Sequence, residues 1–275
     1  MRLFTGHVQA FLEVTSTLSR HRDLTMEMAR REIFDRYAGQ VLGAYWAIGH
    51  PLFLMGLYVF VFAFVFKQKI GGTFDLPLDY TAYLLAGLIP WLSIQEAMIK
   101  SCSAVSSSAA LVKQTVFPIE ALPAKGVVSS LVTQLVGSAL LIVYVMFTHG
   151  SLPWTYLLLP LLMSLQIGIM LGVAFFLSAL GVFVKDTKDV VQLLATAGMY
   201  LLPIFYLPAW VPALFKPLLY ANPFSHVIWC YQDILYFGRF EHPWSWLVTV
   251  LFSFFGLVLG YRAFRLMKPS FGNVL

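Results

Sequence analysis

Residues 126–184 contain no Asp, Glu, Lys or Arg, and this uncharged stretch leaves the chain few folds to adopt. The stretch is too long for one membrane-spanning helix, which needs about 20 mainly apolar residues. It is interrupted at residues 148–153 by the turn-rich sequence Thr-His-Gly-Ser-Leu-Pro. We therefore predict a hairpin of two spanning helices, at about 126–147 and 154–184.

The rest of the chain is also poor in charge, as expected of a protein that folds in lipid. Of its 275 residues, 11% are charged and 59% are hydrophobic, whereas a soluble domain carries about 25% charged residues. The pattern predicts an all-α integral membrane protein with six spans, at about 44–66, 80–101, 126–147, 154–184, 190–206 and 244–267. The predicted parts are a segment 1–43, a six-span domain 44–267 with an inner loop 104–125 and an outer region 207–243, and a tail 268–275.

Residues 207–243 are apolar but rich in proline, so two interpretations compete. Either residues 218–237 form a seventh span, or the region holds short re-entrant helices. With six spans and the N terminus inside, 14 of the 18 Lys and Arg residues fall on the inner side, as the positive-inside rule requires. The outer side then carries only Lys67, Lys69, Lys216 and Arg239. A seventh span would place Arg262, Arg265 and Lys268 outside, so we predict six spans and cytoplasmic termini.

The segment before the first span contains six arginines and no apolar core of a signal peptide, so we expect insertion to begin at an internal span. Residues 23–37 predict an amphipathic helix along the inner membrane surface, with Asp23 as its N-cap. Its apolar stripe consists of Met26, Ala29, Ile33 and Tyr37. The alternative is a simple basic anchor without a defined surface helix.

A search for catalytic or metal-binding patterns finds none with the required spacing. The chain has no G-x-x-x-x-G-K-[ST] loop, so we expect it not to bind ATP in that manner, and it has no H-E-x-x-H. Cys102 and Cys230 lack metal-site spacing and are predicted on opposite membrane faces, without a disulfide. Asp186 and Asp189 favour a solvated turn over a metal site. The sequence contains no run of basic residues interleaved with aromatics, so nothing in it indicates nucleic-acid binding.

Glu96 is the one carboxylate well inside a predicted span, and intramembrane charges are candidates for function. Lys100 follows four residues later on the same helix face, a spacing that favours an ion pair. Structural pairing is the favoured interpretation, and a role in transport remains the alternative.

Aromatic residues make up 16% of the chain. They crowd the first span and the end of the fifth, where stacked rings could guide sugars. The candidates for such a channel are Trp46, Phe53, Tyr200, Phe205, Tyr206 and Trp210. The alternative is ordinary lipid-facing Phe with interfacial Trp and Tyr, which is favoured for any single residue.

Six short motifs within residues 25 to 265 resemble, in order, those of type-2 ABC exporter permeases, the branch of the O-antigen, capsule and teichoic acid transporters. The motifs are 36–46 followed by Pro51, 87–91 (Gly-Leu-Ile-Pro-Trp), 113–118 followed by Leu122 and Pro123, 184–186 (Val-Lys-Asp), 203–206 (Pro-Ile-Phe-Tyr), and Asn222 with Pro223. Lys185 departs from the family pattern, in which arginine is commoner, but it keeps the positive charge.

The resemblance implies a homodimer of permeases in the bacterial inner membrane, paired with two copies of a separate ATPase subunit that holds the ATP and Mg²⁺. This chain itself would bind no cofactor and catalyse no reaction. The residues implied to contact the ATPase are Glu27, Arg31, Lys113, Phe117 and Pro118. The short helices in 207–243 would gate the outer exit.

The substrate implied by the resemblance is a glycan linked to a polyprenyl diphosphate lipid. Its diphosphate would enter near Arg30, Arg31, Arg36, Tyr37, Leu42 and Gly43. Arginine suits that role because its planar fork pairs bidentately with phosphate oxygens. The alternative for these arginines is anchoring to anionic membrane lipids.

Within the same family, the alternative is a capsule, teichoic acid or small-molecule exporter permease. Other classes of membrane protein fit the sequence less well. A membrane enzyme acting on lipid-linked sugars would need acidic or histidine residues that converge at one membrane face. A channel or a transporter that does not use ATP would predict an internal repeat or polar residues along the spans.

Overall fold

The computed structural model describes residues 2–65, 77–114 and 117–275, and every regular element within these residues is helical. The α-helices are α1 (Arg2–Arg20), α2 (Arg22–Asp35), α3 (Trp46–Val59), α4 (Tyr80–Cys102), α5 (Ala109–Gln114), α6 (Ala121–His149), α7 (Leu159–Phe183), α8 (Thr187–Leu201), α9 (Lys216–Ala221), α10 (Pro223–Gln232), α11 (Pro243–Met267) and α12 (Phe271–Val274). Short 3-10 or π-helical turns lie at Gly43–Tyr45, Phe60–Val65, Ser106–Ser108, Trp154–Leu158, Pro208–Trp210, Asp233–Phe237 and Lys268–Ser270. The all-α prediction is confirmed.

Four helical segments of the described residues are long and apolar enough to cross a membrane. They are Tyr80–Cys102, Ala121–His149, Trp154–Phe183 and Pro243–Val274, and they correspond to the predicted second, third, fourth and sixth spans. The predicted first span is the shorter apolar helix α3 with its π-helical extension. The count of six spans stays a prediction. Three residues used for it lie outside the described residues: Phe66, which ends the predicted first span, and Lys67 and Lys69, which are predicted on the outer side. Thr115 and Val116 of the third motif also lie outside them.

The predicted fifth span ends earlier than its apolar sequence suggests. Helix α8 stops at Leu201, because Pro203 cannot continue a helix and forces the preceding Leu202 into an extended conformation (φ −87°, ψ 157°). Its 15 residues reach about 22 Å at 1.5 Å per residue. That is less than the hydrocarbon thickness of about 30 Å.

The N-terminal segment forms two helices, of which the sequence predicted only the second. Helix α2 begins at Arg22 after His21, so the prediction of Asp23 as the N-cap is wrong, and Asp23 lies in the first turn instead. Its Ala29 is buried, whereas Met26 is exposed, so the predicted stripe is not buried as one surface. Helix α1 packs against α11, with Val14 fully buried in that contact.

Helix α4 is the central helix of the bundle, because most of its side chains are buried. It contacts α6, α7, α8 and α10. Helix α2, the end of α4 and the start of α6 meet at one end of the bundle, which we call the basic end. The opposite end contains the start of α4 and the end of α6.

The chain between α8 and α11 enters and leaves the bundle at the opposite end. Near the start of α4, the Tyr83 hydroxyl donates to the Tyr206 carbonyl at 3.1 Å. Deeper in the bundle, the ring of Phe224 contacts Trp91, and Phe237 then returns to contact Tyr83. The helix is interrupted at Asn222 (φ −79°, ψ 115°), so residues 218–237 do not form one continuous helix.

Candidate anion-binding site

Five charged side chains meet at the basic end, and we call them the charged cluster: Glu32, Arg36, Glu96, Lys100 and Lys125. Helix α2 packs along α6 with Ala29 buried. Glu32 lies one turn later in α2, beside Lys125 in the first turns of α6. Arg36 follows the end of α2 and reaches across to α4.

Glu96 accepts hydrogen bonds from three donors. Arg36 Nη1 and Lys100 Nζ lie 2.6 and 2.9 Å from its Oε1, and Thr133 Oγ1 donates to its Oε2 at 2.8 Å. The pair predicted between Glu96 and Lys100 is therefore confirmed. The contacts with Arg36 and Thr133 were not predicted, because they join positions 60 and 37 residues apart in the sequence.

Glu32 connects the same lysine to α6. Its carboxylate oxygens lie 3.4 Å from Lys100 Nζ and 3.4 Å from Lys125 Nζ, and Ser129 Oγ lies 3.0 Å from Oε1. Lys100 also donates to Ser129 at 2.8 Å. Because the charged cluster contains three cations and two carboxylates, it retains one formal positive charge.

Two cavities meet at the charged cluster. The first has a volume of about 320 Å³ and is lined on its polar side by Arg36, Tyr37, His50, Gln95, Glu96, Lys100 and Thr133. The second has a volume of about 530 Å³ and is lined by Met28, Arg31, Glu32, Asp35, Arg36, Lys100 and Lys125. Arg36 and Lys100 line both, so an anion in either cavity borders a guanidinium and an ammonium. A guanidinium binds phosphate bidentately, and an ammonium binds it as a point charge.

Three of the residues predicted to admit the diphosphate lie at these cavities. Arg36 lines both, and its guanidinium lies 5.6 Å from the ring centre of Tyr37. Arg31 lines the second cavity and forms an exposed ion pair with Glu27 at 3.3 Å. The structure therefore places Arg31, Arg36 and Tyr37 near one another.

The other three predicted residues lie outside the linings of both cavities. The guanidinium of Arg30 lies over the ring of Phe34 at 5.7 Å. Leu42 is exposed, and Gly43 has a φ of +48°, a left-handed conformation that glycine adopts without strain. These two residues form the turn into α3.

The predicted channel aromatics divide into two groups. Tyr200 stacks on Phe205 at 5.5 Å, and Phe205 contacts the ring of Phe62 at the end of the first apolar helix. Tyr206 follows in the same stretch and donates to the Leu201 carbonyl at 2.8 Å. Tyr200 is also exposed, as are Trp46 and Phe53 on α3 and Trp210 after α8. Their role as a channel stays a prediction.

The residues predicted to contact an ATPase all lie at the basic end. Glu27 and Arg31 are on the exposed surface of α2. Lys113 is exposed near the end of α5, in the connection between α4 and α6. Pro118 and Phe117 are partly buried, and Phe117 packs against the hydrophobic core that surrounds α1 and α11.

Two buried polar groups were not predicted from the sequence. Gln134 and Gln166 exchange hydrogen bonds at 2.9 and 2.7 Å, and the hydroxyl of Tyr231 joins both amides. These residues connect α6, α7 and α10. Glutamines within apolar spans were a sequence signal for such a contact, because polar side chains in lipid seek interhelical partners.

The second unpredicted group surrounds Asp233, whose side chain is buried. Its carboxylate accepts hydrogen bonds from the backbone N–H and Nδ1 of His242, and from Nε1 of Trp246. The group joins the end of α10 to the start of α11. Among the described residues, no three His, Cys, Asp or Glu side chains form a metal-binding group. Asp186 and Asp189 are exposed at the start of α8.

Sequence comparison identifies the relatives of this chain. A family model described as ABC-2 type transporter matches residues 23–236. Two O-antigen export system permease proteins RfbA from Klebsiella pneumoniae are each 26% identical, over 259 and 256 residues, which are 92% of this chain and 95% of each relative. An O-antigen export system permease protein RfbA from Myxococcus xanthus is 26% identical over 231 residues, 83% of this chain and 86% of that protein. Because the family match covers more than half of its length, this chain belongs to the ABC-2 type transporter family of membrane proteins.

Proposed function

We propose that this chain is the permease subunit of an ATP-driven exporter that moves a lipid-linked polysaccharide across the bacterial inner membrane. The cargo is a glycan of the O-antigen type on a polyprenyl diphosphate, carried from the cytoplasmic to the outer face. Support comes from the family and from three relatives, named O-antigen export system permeases, that match this chain along most of their length.

The observation that carries the proposal is the charged cluster between two cavities. Glu96 and Lys100 lie in the last two turns of α4, where a membrane-crossing helix approaches the headgroups. A net positive site at that depth suits a diphosphate whose chain stays in the bilayer. Arg36 provides bidentate recognition, and Lys100 provides a second charge.

The exporter works as a homodimer with two copies of a separate ATPase subunit, which binds ATP and Mg²⁺. That subunit contacts the exposed surface of α2 and the connection between α4 and α6. Support comes from the family, whose ABC transporters pair membrane and ATPase subunits, and from the absent phosphate loop. Both termini lie in the cytoplasm, and the 207–243 region gates the outer exit.

Arg36→Lys in a strain that lacks the natural gene tests this function. If bidentate phosphate recognition admits the substrate, the lysine variant exports at least about threefold less surface glycan, although it keeps the charge. The measurement is surface and intracellular lipid-linked glycan at matched permease levels and matched ATPase co-purification. Arg22→Lys is the control, because Arg22 is exposed, pairs with Asp23 and lines neither cavity.

The deletion strain should accumulate intracellular lipid-linked glycan. Normal surface glycan in that strain would contradict the proposed function. Full export by Arg36→Ala would remove Arg36 from the substrate path.

A further inference from the structure

An apolar groove extends the first cavity away from the basic end. It has a volume of about 340 Å³ and no charged residue in its lining. Its floor consists of the buried Leu85 of α4 and Leu141 of α6. Its walls are exposed side chains, Leu52 and Phe60 on one side and Val143 on the other. The groove therefore opens at the surface of the chain between α3 and α6.

The groove and the first cavity form one path along the same three helices. Met55 lines both. On α6, Thr133 borders the cavity and Gly137, one turn later, borders the groove. From His50 to Phe64 the lining of the two spans 15 residues of α3 and its π-helical extension, a rise of about 21 Å at 1.5 Å per step. The path is cationic at one end and apolar over the rest of its length.

Two glycines shape the groove. A Cβ at Gly137 would lie 3.0 Å from Cγ2 of Ile89, so glycine there lets α6 approach α4 closely. A Cβ at Gly56 would meet nothing within 4 Å. The space beside Gly56 is therefore open within the groove, and a larger side chain there would fill it without displacing protein atoms.

We propose that this groove binds the isoprenoid chain of the lipid carrier while the carrier's diphosphate is held between Arg36 and Lys100. The inference rests on the proposed function, because the occupant is the tail of the same substrate. A single apolar chain that ends in a diphosphate matches both the apolar walls and the positive end of the path. A diphosphate carries more negative charge than the phosphodiester of a membrane phospholipid, and the net positive end favours it.

The tail site gives the permease a way to select its cargo that does not depend on the glycan. A diphosphate bound at Arg36 with its chain in the groove has a fixed direction, with the sugar on the side of the phosphates away from the groove. The chain also contributes burial energy that a free sugar diphosphate lacks.

Gly56→Leu in the full-length transporter, held in lipid nanodiscs, tests the proposal. The probe is geranylgeranyl diphosphate with a diazirine at the end of its chain, and the readout is the labelled peptides and the concentration for half-maximal labelling. In the wild type, labels should fall on α3 and α6. The variant should weaken labelling about tenfold, equivalent to losing the burial of roughly two methylene groups. Val143→Trp, which fills the groove from the other wall, should act in the same direction.

Gly49→Leu is the matched control. It makes the same change in the same helix, and its Cβ would make only ordinary contact with Trp46, 3.6 Å away, outside the groove. It should label like the wild type. Equal labelling in the Gly56→Leu, Val143→Trp and wild-type proteins would overturn the proposal. Competition by phosphatidylglycerol as effective as that by unlabelled geranylgeranyl diphosphate would also overturn it, as would cross-links showing that a second copy of the chain fills the groove.

The head group is tested separately with inorganic diphosphate. If inorganic diphosphate binds in an Arg36-dependent manner but the geranylgeranyl chain adds no affinity, the groove proposal fails and the proposed function stands. If neither molecule binds in an Arg36-dependent manner, both fail.

Discussion

At the scale of single residues, Glu96 holds the charged cluster together. It accepts from Arg36, Lys100 and Thr133, which belong to three different parts of the chain. It also competes with any bound anion for the same guanidinium. Glu96 therefore stabilises the charged cluster, and it would oppose the binding of an anion at the proposed site.

We predict that Glu96→Gln has two opposite effects. Diphosphate binding should tighten about tenfold, because about 1.4 kcal/mol of charge repulsion is removed near the site. The free energy of unfolding should fall by about 1–3 kcal/mol, since Arg36 loses its counter-charge and Lys100 keeps only that of Glu32, in a partly buried place. Calorimetric titration with inorganic diphosphate and thermal unfolding in detergent measure the two effects.

The control for this substitution is Glu241→Gln, which breaks an exposed pair with Arg239 after α10. It should change neither quantity. Weaker diphosphate binding in Glu96→Gln would mean that Glu96 serves the site through position rather than through charge.

Residue contacts were predictable only where they are local. The pair of Glu96 and Lys100 follows from a four-residue spacing within one helix. Arg36 was singled out for its chemistry and position, but its contact with Glu96 depends on how α2 packs against α6, the neighbour of α4. No local pattern encodes that packing.

At the scale of elements, α7 and α11 form the most extensive helix contact in the described part of the chain, and small residues make it possible. A Cβ at Gly260 would collide with the carbonyl oxygen of Gly172, and one at Gly172 would collide with the backbone of Gly256. Without a hydrophobic driving force in lipid, such close approach supplies the packing that joins helices.

We predict that Gly260→Ala destabilises the protein by about 1–3 kcal/mol, because the added methyl forces the two backbones apart. Gly256→Ala, one turn earlier in the same helix, gains the same helix propensity, but its Cβ would meet only the Phe252 ring at 3.6 Å. Unfolding of both variants in mixed micelles measures the difference. Equal stability would show that the α7–α11 contact tolerates separation.

The boundaries of elements were predictable where a sequence signal coincided with a physical limit. The break at 148–153 and the start of α11 were located closely. The end of α8 was placed too late, because apolar content outweighed the effect of Pro203. Helix α1 was missed because its segment was treated as a source of charge, whereas Val14 and its neighbours bury an apolar stripe against α11.

At the scale of the whole molecule, polar contacts in the apolar interior connect helices that are distant in sequence. Gln134, Gln166 and Tyr231 join α6, α7 and α10, and Tyr83 joins α4 to the chain after α8. Charge shortage and motif order predicted the fold class and the family. They could not predict this arrangement, because every pairing depends on helices meeting in three dimensions.

The direction of the chain through the membrane is the last prediction, and two exposed serines allow a matched test. Ser151 follows α6 and Ser270 follows α11, and the native cysteines Cys102 and Cys230 are free but buried. Single substitutions Ser151→Cys and Ser270→Cys thus place one accessible thiol on each predicted side, in a background that resists labelling. Membrane-impermeant maleimide is applied to spheroplasts and to inside-out vesicles.

Six spans require three crossings between these positions, through α7, α8 and α11, so the two thiols should react from opposite sides. Ser151→Cys should label in spheroplasts, and Ser270→Cys only in inside-out vesicles. Reaction of both from the same side would require an even number of crossings. Either residues 218–237 would then cross despite the interruption at Asn222, or α8 would fail to cross with its 15 residues. Reaction of Ser270→Cys only from the outside would place the C terminus outside. The charged cluster would then no longer lie on the cytoplasmic side, where the proposed substrate is made.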